Sequence, residues 1–297
     1  MSQARSIDDL DLRPKLIMGV EGEPNSGKSA LALSSAMSRP PLTYLRFDYA
    51  SYGAFRAVKK AGLSAVINLH DYDIDVTVDK SEQAFQAKEL ARKAKGKPQR
   101  EVDALQKEAD ILLSGVRSEA QKVYDDFMKD YVEGLERGGT VAIDTFTEVY
   151  QMVRLSIFGL LRQVPQMAYE RSNKEMLHLI NLAEASDANL ILLNKVRDEW
   201  GKDGEGKNQR TGRMVTDGWD GLDYPAHVMV RVFREGTRTD PNHSGKPREA
   251  PGGFQMLFTK CNDKESDDLT GTVHEIPEPL LGFDQIGQLV YGDDWNS

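Results

Sequence analysis

The chain has 297 residues, enough for one large α/β domain carrying an insertion. Its formal charge of −9 argues against attraction to nucleic acid over the whole surface and leaves room only for a local basic groove. A single cysteine, Cys261, excludes an internal disulfide framework and suits a reducing cytoplasm. No run approaches the ~20 apolar residues of a membrane span, so no membrane role is expected. The polar, acidic stretch Met1 to Asp11 does not read as a signal peptide.

In chain order, Leu16-Ile17-Met18-Gly19-Val20 reads as a buried strand, and Ala30 to Met37 as a helix. Between them stands Gly22-Glu23-Pro24-Asn25-Ser26-Gly27-Lys28-Ser29, which fits the phosphate-loop pattern G-x-x-x-x-G-K-[ST] at every fixed position. Glycines at those two places let the backbone curl so that successive N–H groups face phosphate oxygens, beside the positive end of a helix. The loop from Gly22 to Ala30 is therefore the expected ATP site. Lys28 is placed on the β/γ-phosphates and the Ser29 hydroxyl on Mg2+.

After the break at Arg39-Pro40-Pro41, residues 42–48 alternate like a strand that ends in Asp48. A short helix (54–61) and a short strand (64–69) follow. Residues 79–120 are dense in Lys, Glu, Gln and Ala, with a strong break at Gly96-Lys97-Pro98. Val102, Leu105, Ala109, Leu112 and Val116 recur at steps of three and four, which predicts a coiled-coil-like helical hairpin inserted in the domain. That insertion is either a solvated arm without chemistry or a docking arm for self-association or a partner protein. Val123 to Leu135 reads as a further helix, closed by Gly138-Gly139.

Thr140-Val141-Ala142-Ile143-Asp144 has the composition of a central parallel strand ending in a carboxylate. Asp144 would sit at the carboxyl end of the sheet, where it can support the Mg2+ shell. Helices are expected over 147–161 and 172–186, and Asn189 to Asn194 reads as another buried strand with a polar end. From Lys195 to Gly218 there is no apolar periodicity; five glycines accompany Lys195, Arg197, Lys202, Lys207, Arg210 and Arg213. That reads as a long flexible basic loop, for contact with nucleic-acid phosphates or for sensing nucleotide. Strands are expected at 227–232 and 254–260, and a weakly structured acidic tail over 276–297.

The order of these motifs resembles the RecA-like ATPase core: a mostly parallel central sheet flanked by helices, here with a helical insertion. Within that class the chain is similar to the compact phage ATPases of single-strand annealing and recombination. The resemblance covers residues 14–78 and 116–275. Its most telling part is Leu192-Leu193-Asn194-Lys195-Val196-Arg197, followed by the glycine-rich stretch and Thr216-Asp217-Gly218-Trp219. The resemblance implies Asn194 or Lys195 as the γ-phosphate sensor, with Lys195 standing where the family has Gln. It implies a homo-oligomer, ring or filament, that binds single-stranded DNA through the 195–213 stretch. It also implies a trans-acting lysine at Lys260, with Lys264 as the alternate.

In that family a Glu after the second strand positions the attacking water; Ala50 falls there in this chain, and Asp48 is the nearest substitute. Glu148 is the other candidate, otherwise a helix N-terminal charge. Slow hydrolysis is expected from the shorter carboxylate. A different class of function also fits these residues: a nucleotide-gated structural or loader protein whose arm docks a replication, recombination or single-strand-binding partner. No acceptor-site or lid motif speaks for a small-molecule kinase.

Overall fold

The computed structural model describes residues 14–48, 51–73, 92–93, 95–159, 169–202, 204, 206–237, 240, 252–262, 269–277 and 282–296. The chain is an α/β protein built on a mostly parallel mixed sheet with helices on both faces. Four strands form its centre: β1 (Ile17–Glu21), β2 (Leu42–Arg46), β4 (Thr140–Asp144) and the first half of β5 (Asn189–Lys202). Each is a continuous buried run, because both of its faces are covered by crossover helices. β3 (Ile67–Asp71) forms the edge beside β2, and β7 (Val228–Arg234), β8 (Phe254–Cys261) and β9 (Val273–Ile276) complete the other side.

Among the described residues the strand order is β3-β2-β4-β5-β1-β7-β8-β9. The strands from β3 to β7 are parallel, and β8 and β9 antiparallel. β6 (Asn208–Asp217) pairs only with the distal part of β5.

One core layer lies under α3 (Gln99–Arg137), α4 (Phe146–Phe158) and α5 (Tyr169–Glu184). Phe127 is its aromatic hub, with ring neighbours Phe47, Tyr72, Tyr124 and Tyr131 at 5.5, 5.8, 6.4 and 5.8 Å. The opposite layer lies under α1 (Lys28–Ser38), α2 (Tyr52–Lys60) and α6 (Gly282–Tyr291). Cys261 is buried there, 7% exposed and in no disulfide. Among the described residues no helix is long and apolar enough to cross a membrane.

Three expectations are corrected. The helix expected at 123–135 and the second half of the 79–120 insertion are one uninterrupted 39-residue helix, α3. At 1.5 Å per residue it is about 58 Å long, and Gly115 does not break it. Residues 79–91 of the insertion lie outside the described residues. The 195–218 stretch is not a loop: its described residues form the antiparallel β5–β6 hairpin, pairing Lys195 with Asp217 and Lys202 with Asn208. The described residues of the 276–297 segment are not weakly structured. Phe283, Ile286 and Val290 of α6 recur at helical spacing on the buried face, and Trp295 is 1% exposed beneath them. Asp293 and Asp294 are exposed and Asp284 accepts from the Trp295 indole; these acidic residues masked the periodicity.

Candidate functional site

The carboxyl ends of the parallel strands β1, β2, β4 and β5 meet at one edge of the sheet. Glu21 is in register with Asn194, Arg46 with Asp144, and Asp144 with Leu193. A cavity of about 380 Å3 opens there, lined by Pro24 to Ala30, Asp48, Asp144, Thr145 and Lys195. Its other wall is apolar, from Gly53, Ala54 and Ala57 of α2 and from Phe254.

The glycine-rich loop owes its shape to two positions. A Cβ on Gly22 would lie 2.4 Å from the Val232 carbonyl and 2.6 Å from Ser26 Oγ. Gly27 has φ 101°, and a Cβ there would come within 2.9 Å of the Phe254 ring. Gly27 is also the N-cap of α1, and no side chain caps that helix. The first-turn N–H groups therefore have no intrahelical acceptor and face the cavity with the helix dipole behind them. Ser26 Oγ is buried and lacks a hydrogen-bond partner.

The ammonium of Lys28 donates to the carbonyls of Gly22 and Glu23, at 2.7 and 2.9 Å. Burial pushes its pKa down to about 8, against the pull of Asp144 and Asp48. Asp144 is 3% exposed and accepts hydrogen bonds on one oxygen from Ser29 Oγ (2.9 Å) and Tyr44 Oη (2.6 Å). Burial raises its pKa, while Tyr44, Ser29 and Lys28 oppose the rise. Lys195 forms ion pairs with Glu148 (2.5 Å) and Asp48 (3.4 Å). Burial works against its charge, but Glu148 and then Asp48 outweigh it and raise its pKa. Glu148 also accepts from the Thr145 hydroxyl, three residues earlier in the first turn of α4.

The hairpin root is fastened to this edge twice. Thr147 Oγ1 accepts from the Lys195 N–H (3.1 Å) and donates to the Asp217 carbonyl (2.6 Å). On the other side, Glu21 is 3% exposed and accepts from Arg231 Nε (2.8 Å) and from the Thr216 hydroxyl (2.5 Å). The residue immediately before Gly22 is thus bound to β6 and β7 together.

The chain matches no protein-family model, and no curated protein matches it.

Of the residues expected at the site, Pro24 to Ala30, Asp48, Asp144 and Lys195 line the cavity together. Gly22 and Glu23 contribute carbonyls to Lys28 from just outside it. Asn194 is absent from the lining; its side-chain amide turns back to the Leu192 carbonyl at 3.5 Å. Lys260 is placed elsewhere. It pairs with Met229 near the start of β7, at the amino ends of the parallel strands, and donates to the carbonyls of Tyr224 (3.4 Å) and Ala226 (3.1 Å). It therefore has no contact with the cavity of its own chain. Ala50 and Lys264 lie outside the described residues. Arg197, Lys202, Lys207, Arg210 and Arg213 are exposed on the hairpin.

Tyr44, Thr147 and Glu21 did not stand out in the sequence. A tyrosine between Thr43 and Leu45 in a central strand, and a carboxylate at the end of the strand before the glycine loop, were the available signals. Thr147 offered none, because its partners are backbone groups of a hairpin read as a loop.

The residues present fit a magnesium nucleoside triphosphate. An uncapped helix start, an orphaned buried hydroxyl on Ser26 and a buried ammonium supply donors for phosphate. Ser29 and Asp144, 2.9 Å apart, supply a hydroxyl and a carboxylate oxygen of the hard type that Mg2+ takes.

Proposed function

We propose that this protein is a RecA-like P-loop ATPase that binds ATP with Mg2+, hydrolyses it slowly, and works on single-stranded DNA as a homo-oligomer. The observation that carries the reading is the convergence of Lys28, Ser29, Asp144, Asp48 and Lys195 on one cavity at the carboxyl edge of the sheet. The strand order supports it too, since β5, which carries Asn194 and Lys195, separates β1 from the Asp144 strand.

Within this reading the loop N–H groups and Lys28 hold the phosphates, and Ser29 and Asp144 hold the metal. Mg2+ supplies neutralisation of charge on the β- and γ-phosphates. Tyr44 fixes the orientation of the Asp144 carboxylate through its 2.6 Å hydrogen bond. Asp48 is the group that accepts a proton from the attacking water. It is tied to Lys195 at 3.4 Å, so turnover waits on Lys195 moving toward phosphate. Lys260 acts only across a subunit boundary, on a neighbour's site. The hairpin cations take DNA phosphates, and the Thr147 and Glu21 links couple the hairpin root to the nucleotide edge.

A nucleotide-gated loader or adaptor, with a partner docked on the helical arm, is the second reading. The double ion pair of Lys195 favours it, because a site whose Asp48 is held by Lys195 binds nucleotide without turning it over.

Steady-state ATP hydrolysis with and without single-stranded DNA separates them. The first reading predicts stimulation by DNA and a fall of about 100-fold in kcat for Asp48→Asn, with Glu148→Gln much less affected. Nucleotide-dependent assembly with DNA-independent turnover supports the loader. An Asp48→Asn rate equal to wild type removes Asp48 from the chemistry.

A further inference from the structure

We infer that Trp200 is a base-stacking platform, and that the β5–β6 hairpin holds single-stranded nucleic acid through bases as well as phosphates. This rests on the single-strand reading above and adds to it a residue and a mode of contact.

The pairing of β5 with β1 and β4 ends at Asn194 and Leu193, yet β5 continues to Lys202. Residues 195–202 therefore stand beyond the sheet with β6 as their one paired neighbour among the described strands. The ladder is regular up to Asp198, which faces Met214, and then shifts so that Trp200 faces Arg210. Glu199 alone is set against Thr211, Gly212 and Arg213. Irregularities of this kind bend a strand and re-aim a side chain.

The ring they aim is out in solvent. Trp200 is 58% exposed, whereas Trp219 and Trp295, the other two tryptophans, are 8% and 1% exposed. The Arg210 guanidinium lies over the ring, 5.6 Å from its centroid, and is braced by Asp198 at 3.2 Å. An indole with a guanidinium on it offers a flat π-surface and a phosphate ligand side by side.

The surroundings favour nucleic acid over a protein partner. Among the described residues, those paired beside Trp200 are Gly201 with Gln209 and Lys202 with Asn208, none of them the large apolar or aromatic side chain that anchors a protein hot spot. Exposed Arg197, Lys202, Lys207 and Arg213 flank it. The acidic side chains described on the hairpin are engaged: Asp198 with Arg210, Glu199 with Thr211, and Asp217 with Arg197. Bases inside a duplex are stacked on one another and give an indole no face to meet, so the ligand is single-stranded.

The test is a tryptophan-emission titration of the full chain with a dT 20-mer, an rU 20-mer and a duplex 20-mer, over a salt series. Both single strands are expected to quench the emission, and their relative affinities tell a DNA ligand from an RNA one. Affinity should fall as salt rises. Trp200→Ala should remove the quench and weaken binding about 10-fold, while Trp200→Phe, which keeps a π-face, restores most of the affinity. Paired replacement of Lys202 and Arg213 by Ala should flatten the salt slope and leave the quench. Wild-type affinity retained in Trp200→Ala overturns the stacking role and leaves the single-strand reading standing. Equal quenching by the duplex also overturns it. Binding of neither single strand removes the single-strand reading itself.

Discussion

Replacing Lys28 with Met is expected to lower kcat/KM for ATP by about 100-fold or more, because one preorganised charge on a transferring phosphoryl group carries that much. The side chain is 9% exposed and its ammonium rests on the Gly22 and Glu23 carbonyls, so it is already in the cavity before any anion arrives. The same variant carries the pH dependence. A lysine pushed down to about 8 by burial loses its proton as pH rises through that value in the free protein, whereas the unfolded chain keeps it to about 10.5. Stability therefore gains from this group as pH rises between those values, since the unfolded state binds more protons. Triphosphate affinity does the opposite. It is level below pH 8 and falls toward tenfold per pH unit above it, as binding must take up a proton. Lys28→Met should bind weakly at every pH, with no break near 8. A wild-type affinity that stays level to pH 9.5 would contradict the charged role of Lys28.

The second large effect concerns stability, at the other end of the chain. Trp295 stacks on Tyr291 (6.0 Å between ring centroids) and meets Phe283 edge-on (5.5 Å). It lies under the Arg39 guanidinium at 4.2 Å and donates from Nε1 to Asp284 at 2.8 Å. Trp295→Ala removes the largest fully buried side chain and leaves Asp284 and Arg39 without their ring partner. The cost is about 3 kcal/mol or more, a fall of roughly 6–12 °C in Tm by calorimetry. Trp295→Phe should recover part of it. A Tm within about 1 °C of wild type for the alanine variant would mean that α6 is not a structural part of the domain.

The central strands were legible because parallel strands buried on both faces leave a plain sign, an apolar run closed by a polar residue. Val141-Ala142-Ile143-Asp144 and Leu190 to Asn194 show it, and both lie where their composition put them. The glycine loop was legible for a similar reason: Gly22 and Gly27 are required by close approach and positive φ, so the pattern carries geometry.

The hairpin was not. Its strands pair away from the core, so nothing forces alternation, and ion pairs such as Arg210–Asp198 do the work that apolar contacts do elsewhere. Five glycines between 201 and 218 completed the disguise, though Gly201 pairs with Gln209 and Gly212 lies in the irregular part of β6. Tyr44 and Thr147 were missed because their roles exist only across the sheet edge, between residues 100 and 70 positions apart in the chain. Lys260, expected to act on a neighbouring subunit, is carried by strand direction to the end of the sheet opposite its own chain's cavity.

Every role assigned above to the nucleotide site requires that the cavity beside Lys28, Ser29 and Asp144 take a magnesium nucleoside triphosphate. Isothermal titration of the protein with a slowly hydrolysed ATP analogue, with Mg2+ and then with EDTA, measures this directly. Saturable binding with Mg2+ is expected, one nucleotide per chain, with marked weakening in EDTA and in Ser29→Ala. Heat no greater than dilution at millimolar analogue, or binding indifferent to Mg2+ and to Ser29→Ala, would contradict it.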